Sequence, residues 1–278
     1  MNKSDRAIGV FDSGVGGLTV LRALRARLPD ELFVYLGDTA RLPYGTKSRE
    51  SIERYALQAA SLLIKQEVKC LVVACNTASA MALDVLRREL APLPVIGVVE
   101  PGAEAGCRAS RSGRIAVIAT DSTVRGGAYE AAISRQCATA QVTARACPLF
   151  VALAEEGLIA GPIVEAIAHR YLDDIFAIPE AQRPDTLVLG CTHFPVLIDP
   201  LRKVVGDQVV IVDSALTAAV ALEQELARTG LRRAAVPSKA AWLRLLATDG
   251  RERFARVGGI FLGATLSAED VELVDLGV

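Results

Sequence analysis

The sequence predicts an α/β protein built from two doubly wound parallel-sheet lobes related by a pseudo-two-fold, with an active site in the cleft between them. Three observations carry this expectation. Short, uncharged, β-branched runs alternate with longer helical patterns along the 278 residues, as expected of parallel strands that helices cover on both faces. A weak internal repeat relates IGVFDSGVGG at 8 to 17 to IAVIATDSTV at 115 to 124. Each copy is followed, at a similar distance, by a hydrophobic run that ends in a cysteine turn: LVVACNTAS at 71 to 79 and TLVLGCTHFP at 186 to 195. Duplicated architecture is the natural reading, against the plainer alternative of one large sheet with coincidental spacing.

Taken in order, the strands are expected at Ala7 to Phe11, Leu32 to Leu36, Leu71 to Ala74, Val95 to Val99, Ile115 to Ala119, Val142 to Ala146, Thr186 to Leu189 and Val209 to Val212. Helical patterns fall between them at Leu18 to Leu28, Ser48 to Lys65, Ala78 to Glu89, Gly102 to Ser110, Val124 to Arg135, Pro162 to Ile178 and Leu216 to Arg228. The chain is expected to leave the first lobe near Val98, build the second lobe, and return through Asp213. This gives residues 1–98 plus 213–278 in one lobe and 99–212 in the other, with no low-complexity linker at either crossing.

Bulk composition narrows the function classes. A net charge of −1 leaves no basic excess to hold nucleic acid. The charge-free stretch around Cys75, from Cys70 to Leu83, is fourteen residues, whereas a bilayer span needs roughly 18 or more apolar residues. The N-terminal MNKSDRAIGVF enters a strand pattern without a signal-peptide core, so a cytoplasmic location is expected. In that compartment the six cysteines are free thiols, metal ligands or catalysts rather than disulfides. Cys70, Cys107, Cys137 and Cys147 lack a polar setting and read as packing or incidental surface.

Ligands of open α/β sheets bind beyond the carboxyl ends of the strands, and five polar clusters fall there: Asp12 and Ser13 with their glycines, Asp38 to Gly45, Cys75 to Thr77, Thr120 to Thr123, and Cys191 to His193. Singly, an Asp after a strand more often caps a helix than catalyses. Their convergence carries the weight. Cys75 precedes Asn76 and Thr77, which suit an N-cap, and Cys191 precedes Thr192 and Pro195. A thiol at a helix N-terminus is expected to have a lowered pKa, and the free N–H groups there can hold a carboxylate. Two such thiols on opposite sides of a small substrate supply the acid and the base that stereoinversion needs.

Two other chemistries compete. Gly14, Gly16 and Gly17 resemble the start of a dinucleotide fingerprint, but Thr19 occupies the third glycine position. Cys191, His193, Cys75 and Asp12 could instead form a zinc site. The chain has two histidines; His169 lies in a helical pattern, whereas His193 could be a ligand, a general acid beside the second thiol, or a structural hydrogen-bonder.

Together FDSGVGGLTV at 11 to 20, GDTARLPYGTKS at 37 to 48, ACNTASA at 74 to 80, VVEPGA at 98 to 103, ATDSTV at 119 to 124 and GCTHFPVL at 190 to 197 resemble the bacterial glutamate racemases. The match runs from residue 8 to about 215, with the segment after Arg228 fitting loosely and Gly126 and Gly127 departing from the usual serine. Related aspartate racemases are expected to carry Glu at the position of His193.

The resemblance implies interconversion of L- and D-glutamate with no cofactor and no metal, in support of peptidoglycan synthesis. None of the six lysines lies in a strand-end cluster except Lys47, so no Schiff base is suggested. By the same resemblance Cys75 and Cys191 are the two bases, Cys191 acting on L-glutamate and Cys75 on D-glutamate. Asp12, His193 and Glu155 assist them. The implied substrate-binding positions are Asp12, Ser13, Pro43, Tyr44, Gly45, Asn76, Thr77, Thr123, Thr192 and His193. The expected partner is glutamate alone, without nucleic acid or membrane, in a chain compatible with a homodimer. Racemisation or isomerisation of another small acidic substrate is the alternative within the superfamily. A one-cysteine decarboxylase would lack one thiol, and a binding protein descended from the enzyme would lack activity.

Overall fold

The structure, a computed structural model, describes residues 2–234 and 242–277. Its strands are β1 (Ile8–Asp12), β2 (Phe33–Gly37), β3 (Cys70–Val73), β4 (Val95–Gly97), β5 (Arg114–Ala119), β6 (Gln141–Ala146), β7 (Thr186–Gly190), β8 (Val210–Asp213), β9 (Leu243–Ala247) and β10 (Val271–Leu273). Between them run α1 (Leu18–Arg27), α2 (Arg49–Lys65), α3 (Asn76–Leu90), α4 (Val99–Ala109), α5 (Asp121–Arg125), α6 (Ala128–Gln136), α7 (Pro148–Glu155), α8 (Pro162–Phe176), α9 (Ile198–Val205), α10 (Ser214–Thr229) and α11 (Arg251–Leu262). All strand pairs are parallel.

The strands form two sheets, ordered β10-β9-β2-β1-β3-β4 and β6-β5-β7-β8. Strands β1 to β4 and β5 to β8 therefore follow one arrangement: the first strand is flanked by the second and third, and the fourth lies outside the third. Strands β9 and β10 extend the first sheet beyond β2.

Strands β1, β2, β3, β4 and β7 are buried along their whole length, which is why they read as near-continuous apolar runs. Ile8 and Val10 of β1 enter a core shared with Leu21 of α1, Leu222 of α10 and Phe261 of α11. Phe11 points the other way, into a core with Ile52 and Ala56 of α2 and Leu83 of α3. In β5, Ala116 and Ile118 meet Phe150 of α7, Leu172 of α8 and Leu201 of α9, whereas Ile115 and Val117 meet Ala103 of α4 and Ile133 of α6.

Several elements differ from the sequence expectation. The expected helix Val124 to Arg135 is two helices, because Gly127 adopts a left-handed conformation (φ 61°) between α5 and α6. Helix α3 starts at Asn76, capped not by Asn76 or Thr77 but by the Cys75 sulfur, which accepts a hydrogen bond from the Ala78 N–H at 3.4 Å. Helix α4 starts three residues early, at Val99. Helices α7, α9 and α11 had no counterpart in the expectation; the return through Asp213 was expected to add helix and strand to the first lobe, without bounds, and it adds α10, β9, α11 and β10. Among the described residues no helix is long and apolar enough to cross a membrane.

Candidate active site

The carboxyl ends of β1, β3, β5 and β7 converge on one cavity of about 280 Å³. Its wall includes Ser13, Gly14, Leu42, Pro43, Tyr44, Gly45, Cys75, Asn76, Thr77, Thr120, Glu155, Cys191, Thr192 and His193. Of the expected site residues, Asp12 and Thr123 do not border the cavity. Both are buried directly behind it.

On the first-sheet side, the Cys75 thiol donates to Ser13 Oγ at 3.4 Å. Asp12 lies beneath, 1% exposed, with Oδ2 accepting from the Gly14 N–H at 2.9 Å and Oδ1 without a protein partner. Burial raises the Asp12 pKa above the ordinary carboxylate value, against the opposing pull of His193 and the Gly17 and Gly14 N–H groups. Burial also pushes the Cys75 thiol up to about 12, reinforced by the Asp12 charge and outweighing the hydrogen bonds with Ser13 and the Ala78 N–H. The expectation that a helix N-terminus lowers this pKa is thus overturned for Cys75. Desolvation in a closed site and a nearby carboxylate exceed the effect of the helix end.

Asp38 is fully buried and anchors the 38–45 loop rather than the ligand. Its Oδ2 accepts from Arg41 Nε at 2.7 Å and from the Tyr44 hydroxyl, and its Oδ1 from the Thr248 hydroxyl at 3.1 Å. Tyr44 therefore borders the cavity with its hydroxyl already committed. At the interface of the two sheets' helices, Asn76 Nδ2 donates to the Tyr129 hydroxyl at 2.8 Å, and the Thr77, Thr120 and Thr123 hydroxyls lie 2.9 to 3.3 Å apart. Thr123 completes this cluster, and Thr120, which sequence reasoning gave no individual role, is its half-buried corner on the cavity wall.

The second-sheet side carries a relay. Cys191 Sγ lies 3.7 Å from His193 Nδ1, and His193 Nε2 lies 3.0 Å from Glu155 Oε1. The edge-on contact of Phe150 with Phe194, centroids 5.5 Å apart, clamps α7 against the turn that bears His193. Burial alone disfavours the imidazolium, but hydrogen bonds to Cys191 and Glu155 and their charges outweigh it, raising the His193 pKa to about 10. Burial likewise opposes the charge on Glu155, yet the His193 and Arg253 donors hold it below the usual carboxylate range.

The glycine turn at 14–17 has a use unrelated to nucleotides. A Cβ on Gly16 would stand 2.5 Å from both His193 Nδ1 and Thr192 Oγ1, and one on Gly17 would stand 2.5 Å from Asp12 Cβ. Thr19 reinforces this contact across the cleft by donating to the Thr192 carbonyl at 2.8 Å. Among the described residues, no group of three or more His, Cys, Asp or Glu side chains is arranged to hold a metal. Sequence reasoning missed the apolar wall supplied by Leu42, Pro148, Val151 and Ala152, because small apolar residues on unassigned elements carry no local signal.

Two parallel α/β sheets that share one cleft, each contributing a thiol from the end of its third strand, define a class of two-lobed enzyme for small ligands. The family described as Asp/Glu/Hydantoin racemase matches residues 18–222. A protein named glutamate racemase from Chlorobaculum tepidum is 44% identical over 273 residues, covering 98% of this chain and 97% of that protein. A protein of the same name from Geobacter metallireducens is 46% identical over 271 residues, covering 98% and 97%. The crystal structure of glutamate racemase from Francisella tularensis in complex with D-glutamate superposes with a TM-score of 0.88 at 37% identity, covering 98% of both chains. The chain belongs to the Asp/Glu/hydantoin racemase family, in its glutamate racemase branch. The similarity extends past Arg228, where the sequence motifs alone had left the fit loose.

Proposed function

We propose that this protein is a glutamate racemase that interconverts L- and D-glutamate by proton transfer between two cysteines. The observation that carries the reading is the presence of Cys75 and Cys191, at equivalent strand ends of the two sheets, on the wall of one cavity. The relatives' names and the D-glutamate complex of the Francisella protein support glutamate as the substrate.

One sulfur, as thiolate, removes the α-proton and breaks the Cα–H bond; the electron pair stays on carbon and in the adjoining carboxylate. The other sulfur, as thiol, delivers its proton to the opposite face. One turnover therefore leaves the two sulfurs with exchanged protonation states. His193 stands beside Cys191, while Cys75, raised by burial and Asp12, rests as a thiol. By the family resemblance, Cys191 is the base toward L-glutamate and Cys75 the acid, with the roles exchanged toward D-glutamate.

Ser13, backed by the buried Asp12, faces the substrate ammonium side, and the Thr77 and Thr120 hydroxyls, backed by Thr123, hold the carboxylates with Asn76, Thr192 and the Pro43–Gly45 backbone. Closure of the two lobes, residues 1–98 with 213–278 against 99–212, excludes water and lets these fixed donors stabilise the carbanionic charge. D-glutamate made in the cytoplasm would serve peptidoglycan synthesis.

The test is circular dichroism of purified protein, checked for absence of pyridoxal absorbance, with L-glutamate, D-glutamate and L-aspartate separately. Decay of the signal from both glutamate enantiomers but not from aspartate is expected. Decay with aspartate alone would reassign the substrate, and no decay with any of them would leave a binding protein.

A further inference from the structure

Helix α11 has no place in the chemistry so far, yet it touches the relay on the second-sheet side at two points. Arg253 donates to Glu155 Oε2 at 2.7 Å, occupying the oxygen that His193 leaves unused. Phe261, two turns further along, meets the His193 ring edge-on with centroids 5.0 Å apart. Glu155 is carried by α7, on the second sheet, whereas α11 packs on the first sheet beside α1. The Arg253–Glu155 pair thus spans the cleft.

We propose that α11 is a working part of the site, with Arg253 a positioning residue that fixes the Glu155 carboxylate against His193 and so holds the imidazole in line with Cys191. This inference rests on the two-thiol reading above. A carboxylate held by one oxygen can rotate away from its imidazole. Bound at both oxygens, to Arg253 and to His193, it has a single orientation, and the His193 ring, pinned further by Phe261, has one direction in which to present Nδ1 to the sulfur. Arg253 is nearly half exposed, so the ion pair adds little to stability. Its consequence falls on geometry at the thiol. The charged groups facing Glu155 are His193 and Arg253, with Cys191 and Asp12 behind the imidazole and Glu156 beside it on the chain.

The test is steady-state racemisation in both directions by Arg253→Gln, Arg253→Lys, Glu155→Gln and the double variant Arg253→Gln/Glu155→Gln, with exposed Arg256→Gln on the same helix as control. Because enantiomers have equal free energies, kcat/KM must be identical in the two directions for every variant, so the informative quantities are kcat and KM separately. Arg253→Gln is expected to lower kcat about tenfold with KM within about twofold and the melting temperature within about 2 °C. Lysine at this position should restore at least half of kcat. In the Glu155→Gln background the Arg253 substitution should have no further effect, since it acts through that carboxylate. Unchanged kcat in Arg253→Gln, or effects of the two substitutions that add, overturns the positioning role. Persistent racemisation by Cys191→Ala, run in parallel, overturns the two-thiol reading and this inference with it.

Discussion

The two cysteine turns occupy equivalent positions in sheets of equivalent strand order, but their electrical surroundings are opposite. Cys75 sits at a helix N-terminus over a buried carboxylate, Asp12, and its thiol is raised to about 12. Cys191 has no such helix cap and faces an imidazole whose pKa is raised to about 10 by that sulfur and by Glu155. Matched topology places two thiols around one cavity; unmatched neighbours give them different surroundings, a buried carboxylate behind one and an imidazole beside the other.

The comparison can be broken most completely at the sulfurs. Cys75→Ala and Cys191→Ala should each lower racemisation by roughly a thousandfold or more in both directions, because loss of a positioned acid or base removes a factor of about 10² to 10⁴ from a step that needs both. Circular dichroism assays of each variant at matched secondary-structure content check this. Next in size, His193→Gln removes only the cation beside one thiol, and a loss of about a hundredfold in kcat is expected.

That variant also tests the electrostatics through stability. The folded His193 pKa lies above its ordinary value of 6.5, so the stability gained from its imidazolium is complete below about that pH and is lost as pH rises through about 10. Wild-type stability from urea melts at about pH 6 and about pH 10 should fall across this interval more steeply than that of His193→Gln.

Gly16→Ala sharpens the steric side. The added methyl would contact His193 and Thr192 at 2.5 Å, and a loss of about 1–3 kcal/mol in thermal or chemical unfolding is expected, with racemisation reduced alongside. The smallest effect has the opposite sign. Asp12→Asn relieves a desolvated carboxylate whose Oδ1 has no protein partner, so unfolding free energy should rise by roughly 1 kcal/mol at neutral pH while racemisation falls. A drop in stability on this substitution would show that the folded state favours the Asp12 charge.

The strands and the two thiol turns were legible because a parallel strand buried on both faces is a continuous apolar run, and because a polar residue at its carboxyl end stands out against it. The remainder was hidden for particular physical reasons. Helix α11 carries Gly258 and Gly259, which lower helix propensity, yet Gly258 packs close against α1, where a Cβ would meet Leu18 Cδ1 at 2.7 Å. Strand β9 contains Arg244, whose guanidinium pairs with Glu272 of β10 and so tolerates a sheet position. Helix α7 spans eight residues of mostly apolar character, too short for a helical period to stand apart from a strand.

The Cys75 pKa was misread because a helix end is a local signal, whereas burial and the Asp12 charge arise only when β1 and β3 lie side by side. The buried Lys69–Glu31 ion pair, which also receives the Arg233 N–H, was likewise invisible, since its members come from three separate connections.

The central claim is that two different sulfurs serve the two faces of one α-carbon, and early-time proton NMR in deuterated buffer tests it most directly. With L-glutamate as substrate, the account predicts that newly formed D-glutamate carries solvent deuterium at Cα while the remaining L-glutamate keeps its original proton, because the base that removes the proton is not the acid that replaces it. Incorporation of deuterium into the remaining L-glutamate as fast as D-glutamate forms would mean that a single group serves both faces, and would contradict the account.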